Sequence, residues 1–268
     1  MRTLSSAIRA DSAFGEEIDL PWHKLNTHLS LHTSELCLIA AAPGAGKSVF
    51  AVNLALGLSE PVLYIAQDSP ASVVTRMAAL DMGKTIDETF DTIRRDVDYV
   101  AAALEGNHPL LSIVAGAQSL DRIDHVVYAA TEWLGRSPAV VILDNLINTI
   151  VPGHHHQDVG FYATALPRFQ QLALDEDLCF IALHHVARRG NDSGRNVQGL
   201  GTRKLSMVDL LYSGERESEH VLGVYHDQRK TKISIQILKQ RDGPSDPEGD
   251  MEVSLKWHPE TGRLVAWG

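Results

Sequence analysis

The segment Ala41–Ser48, "AAPGAGKS", decides the fold, because it lies directly between an apolar run and a helical pattern. It fits the phosphate-binding loop pattern G-x-x-x-x-G-K-[ST], with alanine in place of the first glycine. In such a turn, backbone N–H groups converge on phosphates, and the N-terminus of the following helix adds partial positive charge. We expect Lys47 to reach the β- and γ-phosphates and the Ser48 hydroxyl to bind Mg²⁺. The expected nucleotide contacts are Ala41, Pro43, Gly44, Ala45, Gly46, Lys47, Ser48 and Val49. A glycine-rich turn without a ligand is the minor alternative.

Apolar runs and amphipathic helical patterns alternate along the chain on both sides of this turn. The predicted strands cover 36–41, 62–67, 110–114, 139–144 and 178–183, and the predicted helices cover 48–58, 71–80, 120–134 and 159–174, with a mostly helical stretch to about 105. Strands that are apolar throughout and alternate with helices predict an α/β fold with a parallel sheet covered on both faces. After about residue 205, four short runs joined by Asp, Gly and Pro turns predict antiparallel strands that extend the sheet.

Length and composition predict a single core with no membrane span. The chain has 268 residues and is 44% hydrophobic, but no apolar run approaches the ~18 residues of a membrane helix. Residues 1–20 are polar and weakly periodic, and we expect an arm that packs on a neighbouring subunit, followed by one ATPase core over 21–268. Cys37 and Cys179 lie in predicted buried strands and no signal segment is present, which favours a reducing cytoplasm.

The charge distribution limits how the protein could contact nucleic acid. A net charge of −10 argues against a surface that coats nucleic acid as a whole, because phosphate binding depends on Lys and Arg. The basic residues do cluster in one glycine-rich segment that contains a single acid, Asp192. The cluster consists of Arg188, Arg189, Arg195, Arg203 and Lys204. It is either a local DNA contact or a solvated loop.

Two carboxylates follow apolar strands near the phosphate-binding turn. Asp144 ends "AVVILD", where a metal-binding carboxylate is expected beside a phosphate loop. Asp68 follows "VLYIAQ" and could orient the attacking water. The alternative is structural for both: Asp144 could cap a turn, and Asp68 could cap the helix that starts near Pro70.

Several motifs in order resemble the RecA-like ATPase core of DnaB-type replicative helicases, over roughly residues 21–268. They are "LCLIAAAPGAGKSVFAVNLA", "VLYIAQDSPASVVTRM", "VVILDNLINTI", "CFIALHHVARR", "SMVDLLYSGERESEHVLGVY" and "ILKQRDGP". The resemblance implies an ATP- and Mg²⁺-dependent motor, assembled as a hexameric ring that translocates on single-stranded DNA. It further implies a minimal phage- or plasmid-type enzyme that lacks the family's N-terminal domain.

The resemblance also assigns residues. His185 takes the place of the γ-phosphate sensor, and Lys239 and Arg241 correspond to cations that reach the nucleotide of the neighbouring subunit. Such cations need no partner in their own chain. The segments 151–160 and 188–204 correspond to loops that line the ring's channel; the consecutive histidines 154–156 in the first are not spaced to converge on one metal ion.

Two departures from the family leave other functions open. The family usually has glutamate where Asp68 stands and glutamine where His185 stands, so fast hydrolysis is in question. A slow nucleotide-switch adaptor is therefore one alternative. A recombination ATPase that forms filaments or loads an annealing protein is the other.

Overall fold

A computed structural model of the chain describes residues 15–67, 69–186, 201–210 and 216–267. The strands are β1 (Glu17–Ile18), β2 (Leu31–His32), β3 (Leu36–Ala41), β4 (Val62–Ala66), β5 (Leu111–Ala115), β6 (Val140–Asp144), β7 (Cys179–His185), β8 (His220–His226), β9 (Lys232–Lys239), β10 (Glu252–His258) and β11 (Arg263–Ala266). The helices are α1 (His23–Asn26), α2 (Lys47–Gly57), α3 (Pro70–Met82), α4 (Ile86–Arg95), α5 (Val97–Asn107), α6 (Ile123–Leu134) and α7 (Val159–Asp175). The predicted alternation of strands and helices is confirmed. No helix among these residues is long and apolar enough to span a lipid bilayer.

Among the described residues, nine strands form one sheet in the order β11-β10-β9-β8-β3-β7-β6-β4-β5. The six strands from β8 to β5 are parallel to one another, and β9, β10 and β11 continue the sheet in antiparallel pairs. One prediction is corrected here: β8 was expected to be antiparallel, but it pairs with β3 in parallel. The reason is that the chain returns between β7 and β8 to the edge where β3 begins, so β8 starts in the same direction.

Apolar side chains fill the space on both faces of the sheet. On one face, Phe50 of α2 stacks on Trp22 with ring centroids 5.3 Å apart. On the other, Phe169 of α7 stacks on Phe180 of β7 at 4.5 Å. Every residue of β3, β4 and β6 is buried, as expected for parallel strands covered by helices on both sides.

The N-terminal segment joins the core earlier than the sequence suggested. β1 pairs with β2, and Ile18 and Leu20 are buried in the core. Residues 15–20, which we assigned to the arm, therefore pack on the core of the domain. The rest of the predicted arm, residues 1–14, lies outside the described residues.

Candidate nucleotide-binding site

The turn between β3 and α2 requires glycine at two positions. Gly44 and Gly46 have φ values of 77° and 96°, in the left-handed region that favours glycine. A Cβ atom on Gly46 would also lie 2.7 Å from Ile233 Cδ1. The N–H of Ala45 donates to the carbonyl of Ala42 at 3.1 Å, which closes the turn. The turn therefore has the glycine-dependent backbone that the phosphate-loop pattern predicts.

The turn forms one wall of a cavity of about 560 Å³, within the size range of small-molecule sites. Its lining contains most of the residues that the sequence assigned to the nucleotide: Gly44, Ala45, Gly46, Lys47, Ser48, Val49, Asp144 and His185. Two assigned residues do not line it: Ala41 is buried in β3, and Pro43 is exposed. Ala42 lines the cavity instead.

Asp144 and Lys47 are both buried where they face this cavity, with 4% and 5% exposure. The Tyr64 hydroxyl donates to Asp144 Oδ2 at 2.8 Å. Burial, and then the negative charge of Asp144, raise the pKa of Tyr64 well above its ordinary value, so Tyr64 stays a protonated donor. The second carboxylate oxygen of Asp144 and the Ser48 hydroxyl are oxygen ligands of the kind that Mg²⁺ prefers. The residues present therefore fit a magnesium ion.

Two consecutive histidines end β7 beside Lys47. His185 Nε2 lies 3.5 Å from Lys47 Nζ, which brings the predicted sensor to the lysine that is predicted to bind the phosphates. His184 is buried against the edge of the Tyr162 ring, at 5.2 Å. Burial, and then the positive charges of His185 and Lys47, lower the pKa of His184 to about 3. His184 is therefore neutral at physiological pH.

The cavity includes residues that sequence reasoning missed. Ser69, Ser72 and Arg76 line it from the start of α3, and their spacing of three and four residues is a helix-face signal that could have been used. Lys230, in the turn between β8 and β9, and Trp257, near the end of β10, also line the cavity. No local signal points to these two, because antiparallel pairing brings them from distant parts of the sequence. Asp68 lies outside the described residues, so its role in orienting water stays a prediction.

Lys239 and Arg241 lie at the opposite edge of the sheet from this cavity. Ile233 sits beside Gly46, and Lys239 is six residues further along β9, about 20 Å away at ~3.3 Å per residue. Both cations also have partners in their own chain, which the sequence reasoning did not foresee. Lys239 Nζ donates to the Ser218 carbonyl at 2.6 Å, and Arg241 Nη1 lies 3.7 Å from Glu219 Oε1.

The predicted DNA-binding cluster is described only in part. Arg188, Arg189 and Arg195 lie outside the described residues. Arg203 Nη2 donates to Asp209 at 2.7 Å, and Lys204 Nζ lies 3.6 Å from Asp250 and 3.4 Å from Glu252. Carboxylates therefore offset both described cations, and the DNA-binding role of the cluster stays a prediction.

The histidine-rich loop, residues 154–156, is held by short-range contacts. The rings of His155 and His156 lie 4.1 Å apart, and the His155 N–H donates to Asp158 Oδ2 at 2.8 Å. Within the ranges that the structure describes, no group of three or more His, Cys, Asp or Glu side chains is arranged to hold a metal ion.

The phosphate-binding turn, the buried carboxylate beside it and the parallel sheet covered on both faces define a P-loop ATPase domain of RecA-like fold. The family model described as "AAA domain" matches residues 17–191, and the chain belongs to that family.

Two phage proteins and two solved structures are similar to the chain. The "Gene 65 protein" of Mycobacterium phage L5 is 24% identical over 277 residues, covering 100% of both chains. That of phage D29 is 24% identical over 231 residues, covering 84% of this chain and 97% of its own. A solved ATPase domain has a TM-score of 0.74 at 19% identity, covering 99% of this chain and 97% of that chain. The structure of a DnaB-like replicative helicase and its interactions with primase has a TM-score of 0.75 at 19% identity, covering 100% of this chain and 68% of that chain. The fold is thus shared with ATPase domains of DnaB-like helicases.

Proposed function

We propose that the protein is an ATP-dependent motor that assembles into a hexameric ring, translocates on single-stranded DNA in the phage-infected host cytoplasm and unwinds duplex DNA during replication. The fold shared with DnaB-like helicases and the similarity to phage proteins support this proposal. In this ring, residues of two neighbouring subunits complete each ATP site.

One observation carries the proposal: Arg241 and Lys239 stand about 20 Å along β9 from the level of their own phosphate-binding turn. A side chain of arginine cannot cover that distance, so neither cation reaches the nucleotide of its own chain. Arg241 is nevertheless 58% exposed, two residues past the end of β9. A neighbouring subunit whose cavity faces this edge would give both cations a phosphate partner.

Different residues of the chain bind the phosphates, position the attacking water and hold the metal ion. Lys47 binds the β- and γ-phosphates, His185 contacts the γ-phosphate beside Lys47, and Asp68 orients the attacking water. Ser48 and Asp144 would hold Mg²⁺, which when bound offsets negative charge on the phosphates. Arg241 then stabilises, from the next subunit, the charge that develops during transfer.

Mixing two inactive variants tests whether the finger, the strand end that carries Lys239 and Arg241, acts in trans. The Lys47→Ala variant keeps an intact finger but cannot bind the phosphates. The Arg241→Ala variant keeps an intact phosphate-binding turn but lacks the arginine of the finger. In a randomly mixed ring about one interface in four pairs an intact turn with an intact finger, so hydrolysis should return to about a quarter of the wild-type rate. Hydrolysis is measured without DNA, since dead sites could stall a coordinated motor. The matched control replaces Arg241→Ala with the double variant Lys47→Ala/Arg241→Ala, which leaves no competent interface.

A mixture that stays inactive after verified subunit exchange would show that Arg241 does not act in trans. Native mass measurement tests the hexamer directly, and a strand-displacement assay tests unwinding. A filament along DNA, seen by electron microscopy in place of closed rings, would favour the recombination or annealing-loader alternative.

A slow nucleotide switch is the second candidate. The observation that favours it is the 3.5 Å approach of His185 to Lys47, where the helicase family usually has a glutamine. A histidine there offers the γ-phosphate a hydrogen-bonding geometry different from that of glutamine, which would slow hydrolysis while Lys47 still binds ATP. Steady-state hydrolysis decides between the two: tight ATP binding with negligible turnover would support the switch.

A further inference from the structure

A buried carboxylate lies at the sheet edge opposite the nucleotide cavity, beneath the two proposed finger residues. The Glu219 side chain is 6% exposed, and its Oε2 accepts a hydrogen bond from the N–H of Leu36 at 2.9 Å. Its Oε1 accepts from the side-chain amide of Gln170, and the Glu219 N–H donates to the Leu36 carbonyl at 3.0 Å. The carboxylate is therefore fixed to the first residue of β3 and to α7, and its orientation is defined.

The segment Ser218–Glu219 contacts both cations of the proposed finger. Arg241 Nη1 lies 3.7 Å from Glu219 Oε1, and Lys239 Nζ donates to the Ser218 carbonyl at 2.6 Å. A guanidinium has five N–H donors in a planar fork. Since more than half of the Arg241 side chain is exposed, one side of the fork faces Glu219 while other donors remain available to a phosphate.

The backbone that carries these cations is also held in place. Val221 pairs with Lys239 but Leu222 pairs with Ile237, so β9 contains one extra residue, a β-bulge, directly before the finger. Bulges of this kind re-aim side chains and are frequent next to active sites. Between the two cations, Gln240 Nε2 donates to the carbonyls of His28 at 3.0 Å and Pro244 at 2.8 Å.

We infer that Glu219 is a positioning residue for hydrolysis: it orients Arg241 toward the nucleotide of the neighbouring subunit. The inference rests on the proposed function, in which Arg241 acts in trans. A buried carboxylate needs a nearby positive charge, so Glu219 holds the guanidinium in one region before any nucleotide arrives. A preoriented finger loses less side-chain freedom when it contacts the phosphates.

Glu219→Gln tests this inference, because it preserves the shape and an acceptor for the Leu36 N–H but removes the charge. We expect rings that bind ATP with unchanged affinity and hydrolyse it about ten- to a hundredfold more slowly, the range set by a finger displaced by ~1 Å. Adding Lys47→Ala subunits, which carry intact fingers, should raise hydrolysis about three- to twenty-fivefold, because a quarter of the interfaces then recover full activity. A defect in folding or in the cis nucleotide site would not be rescued in this way.

Glu35→Gln is the matched control, since Glu35 is equally buried at the same edge but pairs with His220 Nε2 at 2.8 Å. Any activity that this variant loses should not be recovered with Lys47→Ala. If Glu219→Gln fails to fold, Glu219→Asp keeps the charge while drawing it back from Arg241, and its smaller loss should be rescued by the same mixture.

The outcomes separate the role of Glu219 from the action of Arg241 in trans. Two results would overturn the role of Glu219 alone. The first is wild-type turnover in Glu219→Gln. The second is a loss of turnover in Glu219→Gln that Lys47→Ala subunits do not restore, although the same subunits do restore turnover when mixed with Arg241→Ala. If the Arg241→Ala mixture is itself inactive, the trans finger fails and the role of Glu219 fails with it.

Discussion

Replacing Tyr64 with phenylalanine removes one oxygen atom from the core and should destabilise the protein through Asp144. The Tyr64 hydroxyl donates to Asp144 Oδ2 at 2.8 Å, and Tyr64 is fully buried while Asp144 is 4% exposed. A hydrogen bond to a buried charged group contributes about 1.5–3 kcal/mol. For a chain of this size ~1 kcal/mol shifts the melting temperature by about 2–4 °C. Tyr64→Phe should therefore lower the melting temperature by about 3–12 °C at neutral pH, without nucleotide or Mg²⁺.

The assay is a double-mutant cycle followed by thermal unfolding. In an Asp144→Ala background the hydroxyl has lost its acceptor, so Tyr64→Phe should be neutral or slightly stabilising. Tyr99→Phe is the control for loss of a hydroxyl, because Tyr99 is 57% exposed. We expect that control to change stability by less than about 0.5 kcal/mol.

An equal loss of stability from Tyr64→Phe in both backgrounds would show that the effect does not pass through Asp144 and would refute the predicted role of Tyr64. A shift of the melting temperature as small as that of Tyr99→Phe would refute it as well. In either case Tyr64 would be an ordinary core aromatic residue with no part in holding Asp144, the carboxylate predicted to bind Mg²⁺.

The pKa of His184 is lowered to about 3 by burial, so the unfolded chain binds a proton first as the pH falls below ~6.5, and stability is lost between about pH 6.5 and 3. At pH 5 the free energy of unfolding should be lower by about 2 kcal/mol, and urea unfolding of His184→Gln should not show this loss. Trp257 lines the nucleotide cavity, so the tryptophan fluorescence of the wild type should change on ATP binding, and Trp257→Phe should remove most of that change. Changing Arg188, Arg195 and Arg203 to alanine should weaken single-stranded DNA binding. The slope of log affinity against log salt concentration should flatten by about one unit for each phosphate that is no longer neutralised. An unchanged slope in binding titrations would identify these arginines as ordinary surface charges.

The parts of the site that the sequence predicted share a physical basis in short-range interactions. The turn at Gly44–Ser48 joins a strand to a helix within a few residues, so its backbone requirements appear as a local pattern. Asp144 was predicted because it ends a fully apolar strand, and the carboxyl ends of neighbouring parallel strands meet at one edge of a sheet. His185 ends β7 at the same edge, which explains why the structure places it beside Lys47.

By itself, the sequence determined the alternation of strands and helices, the P-loop turn and the strand ends that carry Asp144 and His185, because hydrophobic periodicity and glycine geometry act over a few residues. Only the tertiary structure decided the direction of β8, the Tyr64 partner of Asp144, the entry of Trp257 into the cavity and the contact of Arg241 with Glu219. Tyr64 and Asp144 are 80 residues apart in the chain, and no local pattern records such a pairing. It arises when β4 and β6 become neighbours in the sheet, and strand order depends on how the whole core packs.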